Sequence, residues 1–193
     1  VVRRPTSRQG ARPVSDPLVT GVPADELVRA LGAAHHTVST AESLTAGLLA
    51  ATIAGIPGAS AVLRGGLIVY ATDLKRDLAG VDASVLTADG PVAARTAEQL
   101  AVGARTRCGS TWGIGLTGVA GPDPQDGHPV GTVFVGIAGP DHNEVHRLKL
   151  PGNRWTIRIE AVHAAVRALL RRVHAADTGP VDRVGPNDVG PSD

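Results

Sequence analysis

Apolar runs and amphipathic stretches alternate along this chain between residues 21 and 176. Residues 23–31 open with Pro and acidic residues and place Leu27, Val28 and Leu31 on one face, which predicts a helix. A short β-type run at 37–40 hands over to a second predicted helix at 44–54, which Gly55-Ile56-Pro57-Gly58 ends. The apolar run 61–71, with Arg64 as its one charge, reads as a core strand. A short helix capped by Thr72 follows at 72–78, and another at 82–88. Residues 91–107 predict a clearer helix, with Val92, Ala97, Leu100 and Ala101 as buried candidates. Residues 111–117 read as a strand and 118–129 as a Gly/Pro/Asp loop without helix. The strands 130–138 and 144–150 form a hairpin through 139–143. A last helix runs from 153 to about 174, with Ile157, Ala161, Ala164, Ala165, Ala168 and Leu169 at helical spacing. Strands alternating with helices predict a single α/β domain, a three-layer α/β/α sandwich whose hairpin makes the sheet mixed.

The pattern stops at both ends. Residues 1–20 carry Pro5, Pro13 and Pro17 among Arg and Ser, and 177–193 repeat Gly-Pro at 179, 185 and 190, so both read as disordered tails. The formal net charge is +1, and the basic first tail offsets the acidic last one. The middle of the chain is therefore near neutral, with no basic stripe for nucleic acid. Cys108 is the only cysteine, which leaves no intrachain disulfide and fits a reducing, cytoplasmic setting. No apolar segment follows Arg3-Arg4, so no export signal is expected. The twenty residues from 44 to 63 are uncharged and long enough to cross a bilayer. Gly55-Ile56-Pro57-Gly58 would break such a helix, and Ala, Gly and Thr dominate the span. A helix buried against a sheet is expected, with no membrane partner.

The stretch around which the chain is organised is Thr40-Ala41-Glu42-Ser43-Leu44-Thr45-Ala46-Gly47. It places Ser43 where a strand passes into a helix, whose first N–H groups lack intrahelical partners. A hydroxyl there has two readings. It caps the helix, or it attacks an electrophile whose oxyanion those N–H groups stabilise. Gly113-x-Gly115-x-x-Gly118 matches a dinucleotide fingerprint in form, but Gly121-Pro122-Asp123-Pro124 follows where a helix should start. The segment 118–121 still presents backbone N–H groups to a phosphate or ribose. His142 and His146 fall in the hairpin, and no HExxH pattern occurs, so no metal site is expected. Amide hydrolysis needs a nucleophile, a base, an acid for the leaving ammonia and oxyanion donors. A Ser–Lys pair meets this when the Lys is desolvated enough to be partly neutral. Spacing alone leaves Tyr70 as the end of a core strand and Lys75 as a solvated helix residue.

Taken with Gly58-Ala59-Ser60, Gly65-Gly66, Tyr70, Lys75, Gly118-Val119-Ala120-Gly121-Pro122, Gly131-Thr132 and Gly152-Asn153-Arg154, the octet belongs to an ordered series. Over about residues 22–174 that series resembles the C-terminal domain of the competence/damage-inducible CinA proteins, whose stand-alone form is the nicotinamide-nucleotide amidohydrolase. The resemblance implies a metal- and cofactor-free hydrolase, acting on a small nucleotide in pyridine-nucleotide salvage and assembling as a homo-oligomer. It makes Ser43 the nucleophile, with Lys75 the base and Tyr70 assisting. Thr45, Gly47, Thr117, Gly118 and Gly121 would shape the site, and Arg154 would bind the substrate phosphate. The larger members carry a molybdopterin-binding-like half, whose activities are not expected of this sequence. The family pattern Cys-Thr-Gly-Gly stands here as Leu44-Thr45-Ala46-Gly47, and Gly-Asp-Arg as Gly152-Asn153-Arg154. Hydrolysis of another amide or nucleotide by the same trio, and a non-catalytic ligand- or partner-binding domain, are the alternative readings.

Overall fold

The computed structural model describes residues 17–177. The predicted tails lie outside the described residues except near 17–20, where a 3-10 turn at Pro17–Val19 rests against the second helix, and at Asp177, which ends the last one.

Five strands form one mixed sheet: Val38–Glu42 (β1), Leu63–Ile68 (β2), Trp112–Gly118 (β3), Thr132–Ala138 (β4) and Asn143–Lys149 (β5). Their order is β2-β1-β3-β4-β5. β1 runs parallel to both β2 and β3, while β3–β4 and β4–β5 are antiparallel. Ala24–Ala33 (α1), Leu48–Ala54 (α2) and Arg154–Asp177 (α6) cover one face and enclose the larger core with Val38, Ile114 and Val135. Thr72–Asp77 (α3), Ala83–Ala88 (α4) and Ala94–Cys108 (α5) cover the other, where Ala41, Val69, Val85 and Leu100 pack together. This is the expected three-layer α/β/α sandwich.

β1 and β3 are central and buried on both sides, which explains their small or apolar residues. The fingerprint glycines have a packing role. A Cβ on Gly113 or Gly115 would run into the α5 backbone at Ala101 or Ala97, and Gly136 of β4 faces Ala97 in the same way. Glycine at these positions lets α5 lie directly on the sheet, and β3 opens no helix. The buried candidates on the predicted helices are buried as expected, with Ala164 half-covered.

Several boundaries differ from expectation. The run 61–71 is not a core strand: β2 is six residues long, lies at the sheet edge and leaves Ile68 and Tyr70 exposed. Its length of apolar sequence comes from a 3-10 turn at Ala59–Ala61 before it and a buried Val69 after it. Thr72 does not cap α3, because it is already the first helical residue and Ala71 holds the cap position. α5 begins at Ala94, three residues late, since the carbonyls of Gly90 and Pro91 are tied to the Thr96 and Thr117 hydroxyls. The uncharged stretch 44–63 divides into turn, α2, 3-10 turn and the start of β2. Among the described residues no helix is long and apolar enough to cross a membrane.

Candidate active site

Ser43 leaves the carboxyl end of β1 still in register with the sheet, since its N–H donates to Leu116 O at 2.9 Å. Side chains alternate along such a backbone. Glu42 therefore turns toward α2, and Ser43 turns toward α3. Glu42 is completely buried, and its carboxylate does what was expected of a serine cap. Oε2 accepts from the N–H groups of Gly47 (2.9 Å) and Leu49 (3.1 Å), and Oε1 accepts from Ala50 N–H (2.9 Å) and Thr40 Oγ1 (3.0 Å). α2 consequently starts at Leu48 rather than at 44, and its first N–H groups are not available to an oxyanion. Ser43 is freed from capping.

Lys75 reaches Ser43 from α3. It is 2% exposed, contrary to the solvated reading, and its Nζ lies 3.0 Å from Ser43 Oγ, 2.9 Å from Val69 O and 3.1 Å from Tyr70 O. Two carbonyls take two N–H bonds, so a neutral amine here aims its lone pair at the serine hydroxyl. Burial lowers the Lys75 pKa from 10.5 to about 8, leaving roughly a tenth of it neutral at pH 7. The folded protein binds this proton less tightly than the unfolded chain does, so the stability tied to Lys75 is present above the unfolded pKa and lost as pH falls through about 8. Between these limits wild type should gain roughly 3 kcal/mol over Lys75→Met. Urea melts of the two proteins at both ends of the window measure it, and a pH-independent difference would mean that Lys75 is not desolvated.

The rest of the site lies at the carboxyl ends of the parallel strands, the usual crevice of an open α/β sheet. A cavity of about 300 Å³ is lined by Ser43, Leu44, Tyr70, Lys75, Thr117, Gly118, Gly121 and Arg154, among others. Thr117 is buried and fixed by its bond to Pro91 O at 2.6 Å. Arg154, exposed at the start of α6, donates to Gly121 O (2.6 Å) and to the Tyr70 phenol oxygen (2.9 Å). It thereby ties the loop after β3 to the segment after β2. Tyr70 is 56% exposed, and no hydrogen bond joins it to Ser43; its carbonyl holds Lys75 and its phenol meets Arg154. Asn153, where the family pattern has Asp, caps α6 through Thr156 N–H at 3.0 Å.

Thr45 and Gly47 do not line the cavity. Thr45 is buried, and its hydroxyl has no partner among the described residues. Gly47 instead supplies the left-handed residue before α2 and packs on Ile68. Ala46 also has positive φ (51°), a conformation that suits glycine. Ala46→Gly should stabilise the domain by about 1 kcal/mol, read as a rise in urea midpoint. A lower midpoint would show that the methyl packs favourably. His142 pairs with Arg172 and His146 with Glu144, and among the described residues no cluster of possible metal ligands occurs.

Two residues absent from the expected set are Glu42 and Arg158. Glu42 is the only Asp, Glu, Lys or Arg between Arg29 and Arg64, and an isolated carboxylate in so apolar a stretch must find donors. Arg158, one turn beyond Arg154 on α6, donates to Leu44 O (Nε, 2.9 Å) and Thr45 O (Nη2, 3.0 Å). Nothing in the sequence pattern signals that contact.

Fold and site define an α/β sandwich domain with a buried serine–lysine pair at the ends of its parallel strands. The CinA C-terminal domain family matches residues 22–173, and the chain belongs to that family. A CinA-like protein from Frankia casuarinae is 49% identical over 139 residues, covering 72% of this chain and 32% of the relative. A relative named competence-damage inducible protein from a Geobacillus species is 46% identical over 153 residues, covering 79% of this chain and 37% of its own length. The chain thus spans about a third of these curated relatives. Among solved structures, competence/damage inducible protein CihA from Agrobacterium tumefaciens is 34% identical with a TM-score of 0.72, covering 77% of this chain and 94% of that one. A CinA superfamily protein from Klebsiella pneumoniae 700603 is 28% identical with a TM-score of 0.77, covering 79% and 96%.

Proposed function

We propose that this domain hydrolyses the carboxamide of nicotinamide mononucleotide to nicotinate mononucleotide and ammonia. The observation that carries the reading is the 3.0 Å contact between the buried Lys75 amine and Ser43 Oγ. Ser43 Oγ attacks the carboxamide carbon while its proton passes to Lys75 Nζ. The Lys75 ammonium then protonates the departing nitrogen, and ammonia leaves an ester on Ser43. Water attacks that ester as Lys75 takes one of its protons and returns it to Ser43 Oγ, and the released carboxylic acid gives its remaining proton to solvent. Tyr70 and Arg154 close one side of the cavity, where the ribose phosphate would lie. The test is ammonia release from nicotinamide mononucleotide by the purified protein. Release matched one for one by nicotinate mononucleotide supports the reading, and a folded protein that releases none sinks it.

Arg154 supplies the phosphate contact in this scheme. Arg154→Ala should reduce kcat/KM for nicotinamide mononucleotide by about 1.5–3 kcal/mol, the range for a charge-assisted bond. Nicotinamide riboside, lacking the phosphate, should lose much less. Equal losses would make the tie to Gly121 and Tyr70 the whole role of Arg154.

A further inference from the structure

We infer that Arg158 is a positioning residue that sets the backbone N–H of Leu44, the residue after Ser43, as the oxyanion donor. The inference rests on the proposed role of Ser43 as an acylated nucleophile.

The donor follows from an accounting of the backbone between Ser43 and Ala50. Ser43 N–H is bound to Leu116 O, Ala46 N–H to Ser43 O and Leu48 N–H to Thr45 O. Those of Gly47, Leu49 and Ala50 are bound to Glu42. Leu44 and Thr45 are left, and neither N–H has an acceptor among the described residues. Leu44 lines the cavity beside Ser43 and Thr45 does not, so the donor is Leu44 N–H. The residue following a nucleophilic serine supplies an oxyanion N–H in other α/β hydrolases as well.

The same turn shows what aims it. A trans peptide holds its N–H opposite its carbonyl, so tying one end directs the other. Leu44 N–H shares a peptide with Ser43 O, which the Ala46 N–H holds at 3.2 Å. The carbonyl of Leu44 itself is held from the other side by Arg158 Nε at 2.9 Å. The next carbonyl, Thr45 O, takes the second Arg158 bond at 3.0 Å, and its peptide carries the Ala46 N–H that holds Ser43 O. One planar guanidinium therefore fixes two successive peptides, which a lysine ammonium cannot reproduce with the same geometry. A cationic donor on a carbonyl also polarises its peptide and strengthens the N–H on the far side. Arg158 is itself held over the Trp155 ring, 5.8 Å from its centre.

The experiment compares wild type, Arg158→Met and Arg158→Lys in two assays, with thermal melts to establish that each is folded. One assay is ammonia release from nicotinamide mononucleotide. The other is acetylation of Ser43 by p-nitrophenyl acetate, read as the nitrophenolate burst and by mass on the Ser43 peptide. Arg158→Met should lose about 30- to 100-fold in kcat with KM nearly unchanged, as expected for a displaced oxyanion donor. It should lose a similar factor in acetylation, with the pH midpoint of acetylation where wild type has it. Arg158→Lys should fall between the two, and it carries the test alone if Arg158→Met does not fold. Wild-type acetylation rates in both variants would overturn the inference. So would a loss confined to KM, or a moved pH midpoint, which would place Arg158 on substrate or on Lys75. A wild type that is acetylated on Ser43 yet releases no ammonia would refute the amide reading alone, since the acetylation arm still decides Arg158. A wild type whose Ser43 is not acetylated overturns both.

Discussion

Lys75→Arg should be folded and nearly inert, with kcat/KM for nicotinamide mononucleotide reduced by about 10³- to 10⁴-fold. Arginine keeps the positive charge and the donors to Val69 O and Tyr70 O, so a merely electrostatic or structural lysine would tolerate it. It does not deprotonate, and a base that cannot lose its proton cannot take one from Ser43. Ser43→Ala should fail to a similar degree. Because the two groups serve a single proton transfer, Ser43→Ala combined with Lys75→Arg should be little worse than either alone. Steady-state ammonia release measures all three. Substantial turnover by Lys75→Arg would assign the base to another group and reduce Lys75 to an anchor for the segment at Val69 and Tyr70.

The largest stability effect belongs to a residue that touches no reacting atom. Glu42→Ala should cost about 3–5 kcal/mol, because it strips a buried carboxylate from several donors at once. The N–H groups of Gly47, Leu49 and Ala50 and the Thr40 hydroxyl would all lose their acceptor inside the protein. Glu42→Gln should be damaging too, since an amide replaces one acceptor oxygen with donors that face other donors. Activity should fall with stability, for the turn carrying Ser43 is strung between Glu42 and α2. Urea denaturation with an unchanged m-value is the measurement. A Glu42→Ala protein within about 1 kcal/mol of wild type would show that α2 finds another cap.

What the sequence made legible was the order of elements, the mixed sheet and the handover at Ser43, because periodicity and turn residues are local signals. Its errors share a physical origin. The run 61–71 is apolar enough for a core strand, but sheet position is set by pairing, and β2 acquired an edge. Lys75 looked solvated because a short helix says nothing of which side faces the protein, and its burial depends on the fold bringing β1 against β2. Thr45 and Gly47 sit beside Ser43 in sequence yet do not line the cavity, and the backbone turns at Ala46 and Gly47 with positive φ at both. Arg158 lies 113 residues from Thr45 along the chain, and no local pattern spans that distance.

The central claim is that a lysine of lowered pKa activates Ser43 toward an amide. The most direct measurement is the pH dependence of kcat/KM for ammonia release from nicotinamide mononucleotide, which reports ionisations of the free enzyme. Lys75 must be neutral to act, so the rate should fall as pH drops, tenfold per unit well below the Lys75 pKa of about 8, and level off above it. A rate that stayed flat through this range, or rose as the pH was lowered, would contradict the account.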